Sequence, residues 1–163
     1  MEAEIGADGL WRLGGMQLRP SLGRGGVRSD KREGDGATPA GRLLLRRVLY
    51  RADRVTRPRA AVPISPLAPE DGWCDDPVSP AYNRPVRLPC PDHHEALWRN
   101  DAVYDVIGVL GWNDDPVQPG RGSAIFLHVA QPDGAPTAGC IALPLADLQA
   151  ALSAGLSAIR VIG

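Results

Sequence analysis

The chain has 163 residues and a formal net charge of -1, and nothing in its composition is typical of a coiled coil, a collagen or a disordered protein. This length predicts one domain with its own hydrophobic core. The near-neutral charge argues against a protein that binds nucleic acid through its overall charge. A total of 19 glycines and 16 prolines favours many short elements joined by turns.

Apolar runs bounded by turn residues predict strands in five regions of the chain. These regions are 10–20 (LWRLGGMQLRP), 41–51 (GRLLLRRVLYR), 102–112 (AVYDVIGVLGW), 123–130 (SAIFLHVA) and 159–163 (IRVIG). Residues 61–92 are rich in proline and show no clear periodicity, which is typical of a long functional loop or cover.

One clear helix is predicted over 143–152 (LPLADLQAAL), where Pro144 suits the first turn and Gly155 is placed to end the helix. A second short helix is predicted at 95–99 (EALWR). The expected fold is therefore mainly β, a single-domain sandwich or barrel with one or two short helices.

The start of the chain lacks the basic residues and the apolar stretch of a secretory signal peptide. No segment approaches the ~18 consecutive apolar residues of a membrane helix. We expect a monomer that has no membrane span and does not bind nucleic acid.

The three cysteines allow two interpretations. In an oxidising compartment Cys74 and Cys90 could form a disulfide, which would leave Cys140 as an odd, reactive thiol. Alternatively all three are reduced, and two of them pack as small apolar residues.

Two charged segments have alternative interpretations. The segment CPDHHE (90–95) contains metal-binding side chains, but a zinc site requires a second ligand pair at a defined spacing, and none is visible. We interpret it as a solvated turn and expect no metal and no cofactor. The seven arginines within 42–59 either steer an acidic polymer or belong to an exposed hairpin, and we favour the hairpin.

A loop of Gly, Pro, Asp and Thr separates His128 from Cys140. A cysteine nucleophile requires a neighbouring base and backbone N–H groups that stabilise an oxyanion. Gly139 lets the backbone turn sharply, and the helix that follows would help to lower the pKa of Cys140. From the residues alone, a packed histidine and a core cysteine remain an alternative.

Two separated motifs carry a resemblance to a known family. The segment KREGDGATPAG (31–41), followed by His128 and the box TAGCIA (137–142), resembles the L,D-transpeptidase catalytic domain, the YkuD-like family. The resemblance spans residues 23–163, and residues 1–22 are expected to form a strand and lead-in to the same domain. It implies a mainly β fold, Cys140 as the nucleophile, His128 as the general base and Gly139 as the glycine of the box.

The resemblance also implies a reaction. In this family the thiolate attacks a peptide carbonyl of a donor peptidoglycan stem and passes the acyl group to an amine of an acceptor stem. A backbone carbonyl completes the catalytic triad, and the N–H groups of Gly139 and Cys140 are candidates for the oxyanion hole. The substrate implies the periplasm or the cell envelope as the location.

The box departs from the common family pattern. Ala138, Ile141 and Ala142 stand where most members have histidine, a basic residue and asparagine. Such a box resembles a variant subgroup associated with 1–3 cross-links rather than 3–3 cross-links. We expect Thr137, Ala138 and Ile141 to line the substrate site.

Arg121 lies in the loop 112–123, just before the strand that carries His128. If that loop borders the cleft, Arg121 is a candidate clamp for a substrate carboxylate. The alternative is an ordinary turn.

Two other functions remain open at this point. The same acyl-enzyme attacked by water would make the protein an L,D-carboxypeptidase or an amidase that hydrolyses peptidoglycan stems. A non-catalytic peptidoglycan-binding domain requires neither Cys140 nor His128, so the presence of both favours an enzyme.

Overall fold

The computed structural model describes residues 1–163, in which fourteen short strands and one helix make up the regular structure. The first seven strands are β1 (Glu2–Ile5), β2 (Trp11–Leu13), β3 (Met16–Leu18), β4 (Val27–Arg28), β5 (Thr38–Pro39), β6 (Gly41–Tyr50) and β7 (Ile64–Pro66). They are followed by β8 (Asp71–Cys74), β9 (Pro85–Arg87), β10 (His94–Ala96), β11 (Val106–Gly111), β12 (Phe126–Val129), β13 (Ile141–Leu143), α1 (Leu145–Ser153) and β14 (Ala158–Val161).

The main sheet has nine strands and curls into a half-barrel. Eight of them follow the order β13-β12-β11-β6-β14-β1-β2-β3, and β7 pairs with β6 beside this path. A separate three-stranded sheet has the order β10-β8-β9, and β4 pairs with β5. The prediction of a single, mainly β domain is confirmed, and the strands of the first 22 residues extend the main sheet through the pairing of β1 with β14.

The sheet separates two layers of apolar side chains, because successive residues of a strand point to opposite faces. On β12, Leu127 and Val129 belong to the larger core, whereas Phe126 belongs to the smaller one. The larger core also receives the face of α1 that carries Leu148 and Leu152. The smaller core lies on the side of the sheet where the candidate site is found.

The arginine-rich segment does not form the predicted exposed hairpin. Its first half is β6, an inner strand of ten residues that pairs with β11 and β14 in antiparallel orientation. Arg46 at its exposed face binds Asp114, and Arg51 just beyond its end is buried and binds Asp53. The apolar residues of β6 place it inside the sheet, so the chain after it returns as the parallel strand β7 rather than as a hairpin partner.

The helix predicted at 95–99 is wrong. Residues 94–96 form β10, in which Glu95 lies opposite Trp73 of β8 in an antiparallel pair. An isolated segment of five residues is too short to offset the cost of helix nucleation, and the edge of β8 supplies its hydrogen bonds instead.

The segment 61–92 contains three strands that its composition does not reveal, namely β7, β8 and β9. Each is only three or four residues long, so the prolines within and between them are enough to hide the alternation. Cys74 and Cys90 in and after these strands are both free thiols, so the structure corresponds to the reduced alternative.

The helix prediction at 143–152 is confirmed with a shift of two residues at its start. Pro144 occupies the N-cap position, and Gly155 follows the C-cap with a φ of +92°, a value that glycine adopts without strain. This helix has nine residues, and no helix in the structure is both long and apolar enough to cross a bilayer.

Replacing Leu148 tests whether α1 stabilises the larger core. Leu148 is fully buried, so Leu148→Ala should lower the free energy of unfolding by about 2–5 kcal/mol through lost burial and a residual cavity. Urea unfolding monitored by tryptophan fluorescence measures this change. The exposed Ser153→Ala on the same helix is the control and should change it by less than about 0.5 kcal/mol; equal effects of the two substitutions would contradict the packing described.

Candidate active site

The parallel pairing of β12 with β13 decides which side chains reach the site. His128 lies opposite Ala142, and Leu127 lies opposite Ile141. Cys140 directly precedes β13, so it lies level with Phe126, two residues before His128 on the same face. Cys140 and His128 therefore face one side of the sheet, whereas Ile141 faces the larger core and is fully buried there.

Gly139 is required for the chain to enter β13 at this place. Its φ is +141°, and a Cβ atom added to it would lie 2.8 Å from the carbonyl oxygen of Ala37. A side chain at this position would therefore meet both backbone strain and a fixed backbone atom. The close approach brings the segment 31–41 against the box 137–142.

A buried ion pair shapes the segment that contacts Gly139. Lys31 is almost completely buried, and its ammonium lies 2.5 Å from the carboxylate of Asp35. The same carboxylate accepts hydrogen bonds from the backbone N–H groups of Arg32 and Ala37. This pair fixes the loop that directs the Ala37 carbonyl toward Gly139, so the two sequence motifs form one structural unit.

Thr137 closes the turn before the cysteine. Its hydroxyl accepts a hydrogen bond from the N–H of Gly139 at 3.0 Å and donates one to the carbonyl of Cys140 at 2.7 Å. The Gly139 N–H, expected to belong to the oxyanion hole, is therefore already bonded. The N–H groups of Ala138 and Cys140 make no hydrogen bond within the protein, and they are the available donors.

The Cys140 thiol is buried and hydrogen-bonded to the backbone in the free protein. It donates to the carbonyl of Ala124 at 3.2 Å and accepts the N–H of Phe126 at 3.4 Å. Burial raises the pKa of the thiol to about 12, and the nearby carboxylate of Glu95 acts in the same direction. The expected lowering of this pKa by the following helix is wrong, because β13 lies between Cys140 and α1.

Ala124 is held in an unusual backbone conformation that serves this contact. Its φ is +53°, which is rare for a residue with a side chain, and its N–H donates to the side-chain oxygen of Asn83 at 3.1 Å. The buried Asn83 amide also donates to the carbonyls of Trp112 and Asn113. These bonds hold the loop that presents the Ala124 carbonyl to the sulfur.

His128 is neutral and has one nitrogen free. Its Nδ1 lies 2.9 Å from the carbonyl oxygen of Val129, an acceptor only, so Nδ1 carries the proton. Burial lowers the pKa of the imidazole below its usual range. The ring makes no hydrogen bond to Cys140, and its Nε2 is available to accept a proton.

Tyr104 packs against this imidazole. The two rings meet edge to face with 5.4 Å between their centroids, and the Tyr104 hydroxyl donates to the carboxylate of Glu95. Burial raises the pKa of Glu95 and raises the pKa of Tyr104 well above its usual range. The contact limits rotation of the His128 ring, whose orientation is already fixed by the hydrogen bond to the Val129 carbonyl.

A cleft of about 380 Å³ opens over the sulfur. The expected site residues that line it are Cys140, His128, Thr137, Ala138 and Gly139. Arg121 lies outside it, with its guanidinium bonded to Gln118. Several charged or polar lining residues were not expected from the sequence; among them are Arg24, Glu33, Glu95, Arg99 and Tyr104.

The CPDHHE segment makes ordinary polar contacts. His93 Nδ1 lies 2.5 Å from the carboxylate of Asp75, and His94 Nδ1 lies 2.8 Å from the carbonyl of Asp92. The structure contains no group of three or more His, Cys, Asp or Glu side chains arranged to hold a metal ion.

A comparison with protein-family models decides the relationship that the motifs suggest. Residues 10–154 match the model of the YkuD L,D-transpeptidase catalytic domain. The chain belongs to this family. No curated protein and no solved structure matches the chain. The family match covers both motifs and the whole cleft of this L,D-transpeptidase domain, and family members act on the peptides of peptidoglycan.

We expect slow alkylation of the buried Cys140 thiol. With a pKa of about 12, roughly one in 10,000 Cys140 thiols is ionised at pH 8, and the thiolate is the reactive form. Iodoacetamide should modify Cys140 at least about 100 times more slowly than the half-buried Cys90. Peptide mass spectrometry on a time course measures both rates, and equal rates after denaturation are the control. Faster modification of Cys140 in the native protein would contradict the geometry.

Substitutions at two glycines distinguish the cost of backbone strain from the cost of a close contact with a backbone atom. Gly134 has a φ of +69° with open space around it, whereas Gly139 has both a positive φ and the Ala37 carbonyl beside it. Gly134→Ala should cost about 1 kcal/mol of unfolding free energy, and Gly139→Ala roughly 2–4 kcal/mol. Denaturant unfolding of the two variants measures the difference, and equal costs would show that the contact with Ala37 is unimportant.

Proposed function

We propose that this protein is a cysteine L,D-transpeptidase that cross-links peptidoglycan stems through a thioester acyl-enzyme. One observation carries the proposal. In a chain of this family, a buried thiol and a neutral imidazole with a free Nε2 share one face of two paired strands and line the same cleft. A binding module would have no need of this combination.

The first half-reaction forms the thioester. A donor stem enters the cleft, and the thiol turns from the Ala124 carbonyl toward His128. Nε2 takes the thiol proton while the sulfur attacks the peptide carbonyl carbon. The N–H groups of Ala138 and Cys140 stabilise the oxyanion. The imidazolium then gives its proton to the departing amine, the C–N bond breaks and the acyl group remains on sulfur.

The second half-reaction transfers the acyl group. A neutral amine of an acceptor stem attacks the thioester carbon, the new C–N bond forms and the C–S bond breaks. His128 accepts the excess proton of the attacking nitrogen and returns it to the sulfur. The enzyme is thereby restored as a neutral thiol and a neutral imidazole, which is the pair that the buried site favours.

The burial of the thiol suits an enzyme whose acyl group must reach an amine. A free thiolate would be costly in this apolar surrounding, so the proton moves only when substrate is bound. Restricted water access also slows hydrolysis of the thioester. The restricted access of water favours transfer over hydrolysis.

We also propose that the donor is joined through its first residue, in a 1–3 cross-link. Gln131 and Thr137 line the wall of the cleft formed by the box and the preceding loop, and the Thr137 hydroxyl is already bonded to the backbone. The same wall carries the methyl groups of Ala135, Ala138 and Ala142. These side chains offer no hydrogen bond to a stem carboxylate or amide. Ile141 faces the core, so only two of the three residues that differ from the common box, Ala138 and Ala142, are placed to contact substrate.

The proposed substrate places the protein in the periplasm or the cell envelope, because peptidoglycan lies outside the cytoplasmic membrane. Its proposed partners are a donor stem and an acceptor stem. Neither half-reaction requires a metal or a cofactor.

Substitution of the two reacting side chains tests this function. Cys140→Ala should abolish cross-linking, and His128→Gln should slow it by about 10²–10⁴-fold, because Gln cannot accept the thiol proton. The measurement is mass spectrometry of purified muropeptides incubated with each protein, with unfolding experiments to show that each variant is folded.

Cys90→Ala is the matched control, since Cys90 lies outside the cleft and should be dispensable. Cross-linked dimers made by the Cys140→Ala variant would rule out the cysteine mechanism. Shortened stems without dimers, made by the unsubstituted protein, would instead identify a carboxypeptidase or amidase, and unchanged muropeptides would leave a binding domain.

A further inference from the structure

The charges that line the cleft are not all balanced within the protein. Among the cations, Lys31 is paired with Asp35 and Arg99 with Asp101, whereas Arg24 has no ion-pair partner. Glu33 contributes a carboxylate to the same cleft, and no Lys, Arg or His side chain forms an ion pair with it. The cleft therefore presents a negative charge that has no cationic partner from this chain.

Two hydroxyl groups fix the Glu33 carboxylate in place. The buried Tyr82 donates to its Oε1 at 2.7 Å, and the buried Ser123 donates to the same oxygen at 2.5 Å. The backbone N–H of Glu33 donates to the carbonyl of Gly120 at 2.8 Å. The second carboxylate oxygen, Oε2, makes no hydrogen bond within the protein. One oxygen is thus used for positioning, and the other is free.

The position of Glu33 relates it directly to the nucleophile. Ser123, which holds the carboxylate, is followed in the chain by Ala124, whose carbonyl accepts the Cys140 thiol at 3.2 Å. The carboxylate is therefore fixed to the same short loop that holds the sulfur. A group bound at Oε2 would be close to an acyl chain on Cys140.

We propose that Glu33 is the subsite for the primary ammonium group of the acyl acceptor, a role that rests on the proposed transferase function. An aliphatic amine with a pKa of about 10.4 is almost fully protonated at neutral pH, so the acceptor arrives as a cation. A fixed carboxylate with a free oxygen binds an ammonium group through a charge-assisted hydrogen bond.

The bound ammonium must lose one proton before it reacts. That proton passes to solvent at the mouth of the cleft, and the neutral amine attacks the thioester carbon as the C–S bond breaks. The second proton of the nitrogen reaches the sulfur through His128. Glu33 concentrates and orients the acceptor, and it takes no part in forming the donor thioester.

The substitution Glu33→Gln tests the negative charge separately from the hydrogen bonds that hold the side chain. The Gln side-chain oxygen still accepts the hydrogen bonds of Tyr82 and Ser123, so the loop is kept while the negative charge is lost. Glu70→Gln is the matched control, because Glu70 is exposed and does not line the cleft.

The experiment measures the two half-reactions separately. Intact-protein mass spectrometry follows the thioester formed from a purified donor muropeptide, and a muropeptide with a free stem amine is then added as acceptor. For Glu33→Gln we expect an unchanged rate of thioester formation and of its hydrolysis by water. We expect the ratio of transfer to hydrolysis at subsaturating acceptor to fall about tenfold, and Glu70→Gln to behave like the unsubstituted protein.

Ionic strength supplies a second readout. Salt should raise the acceptor KM of the unsubstituted protein and change that of Glu33→Gln much less, because salt screens an exposed charge pair. An unchanged ratio of transfer to hydrolysis in Glu33→Gln, with normal thioester formation, would overturn the role of Glu33 and leave the transferase function standing. Absence of any thioester in the unsubstituted protein would overturn the proposed function, and this inference with it.

Discussion

The parallel register between β12 and β13 is the constraint on which the rest of the site depends. It places Cys140 level with Phe126 of the neighbouring strand and on the same face of the sheet as His128. Ile141 lies on the opposite face. Gly139 makes this register possible, because only a residue without a side chain fits against the Ala37 carbonyl. The buried pair of Lys31 and Asp35 then holds that carbonyl in place.

The structure favours the neutral forms of both the Cys140 thiol and the His128 imidazole. Burial disfavours a charged thiolate and a charged imidazolium alike, and each group has a backbone carbonyl as its hydrogen-bond acceptor. Backbone carbonyls fix orientation without adding charge. The cleft also contains two charged side chains, Glu33 and Arg24, that have no ion-pair partners from the protein.

Much of this arrangement could be predicted from the sequence, because its signals are local. The apolar runs predict the inner strands, Pro144 and Gly155 bracket the helix, and two motifs predict the family. The alternation of Cys140 and Ile141 could also have shown that they face opposite sides of a strand. The pKa of Cys140 and the position of Arg121 could not be predicted, because burial and loop direction depend on tertiary contacts. The strands β8 to β10 are too short for their pattern to be visible.

In the free protein a neutral thiol and a neutral imidazole whose proton is on Nδ1 line the same cleft. Nitrogen NMR of the ¹⁵N-labelled protein at pH 7 measures the protonation state of His128, because the shifts of the two ring nitrogens distinguish the tautomers and the imidazolium. We expect the neutral Nδ1–H form of His128 in the unsubstituted protein, with the same signals in Cys140→Ala. A protonated His128 that becomes neutral in Cys140→Ala would show a thiolate–imidazolium pair and contradict this expectation.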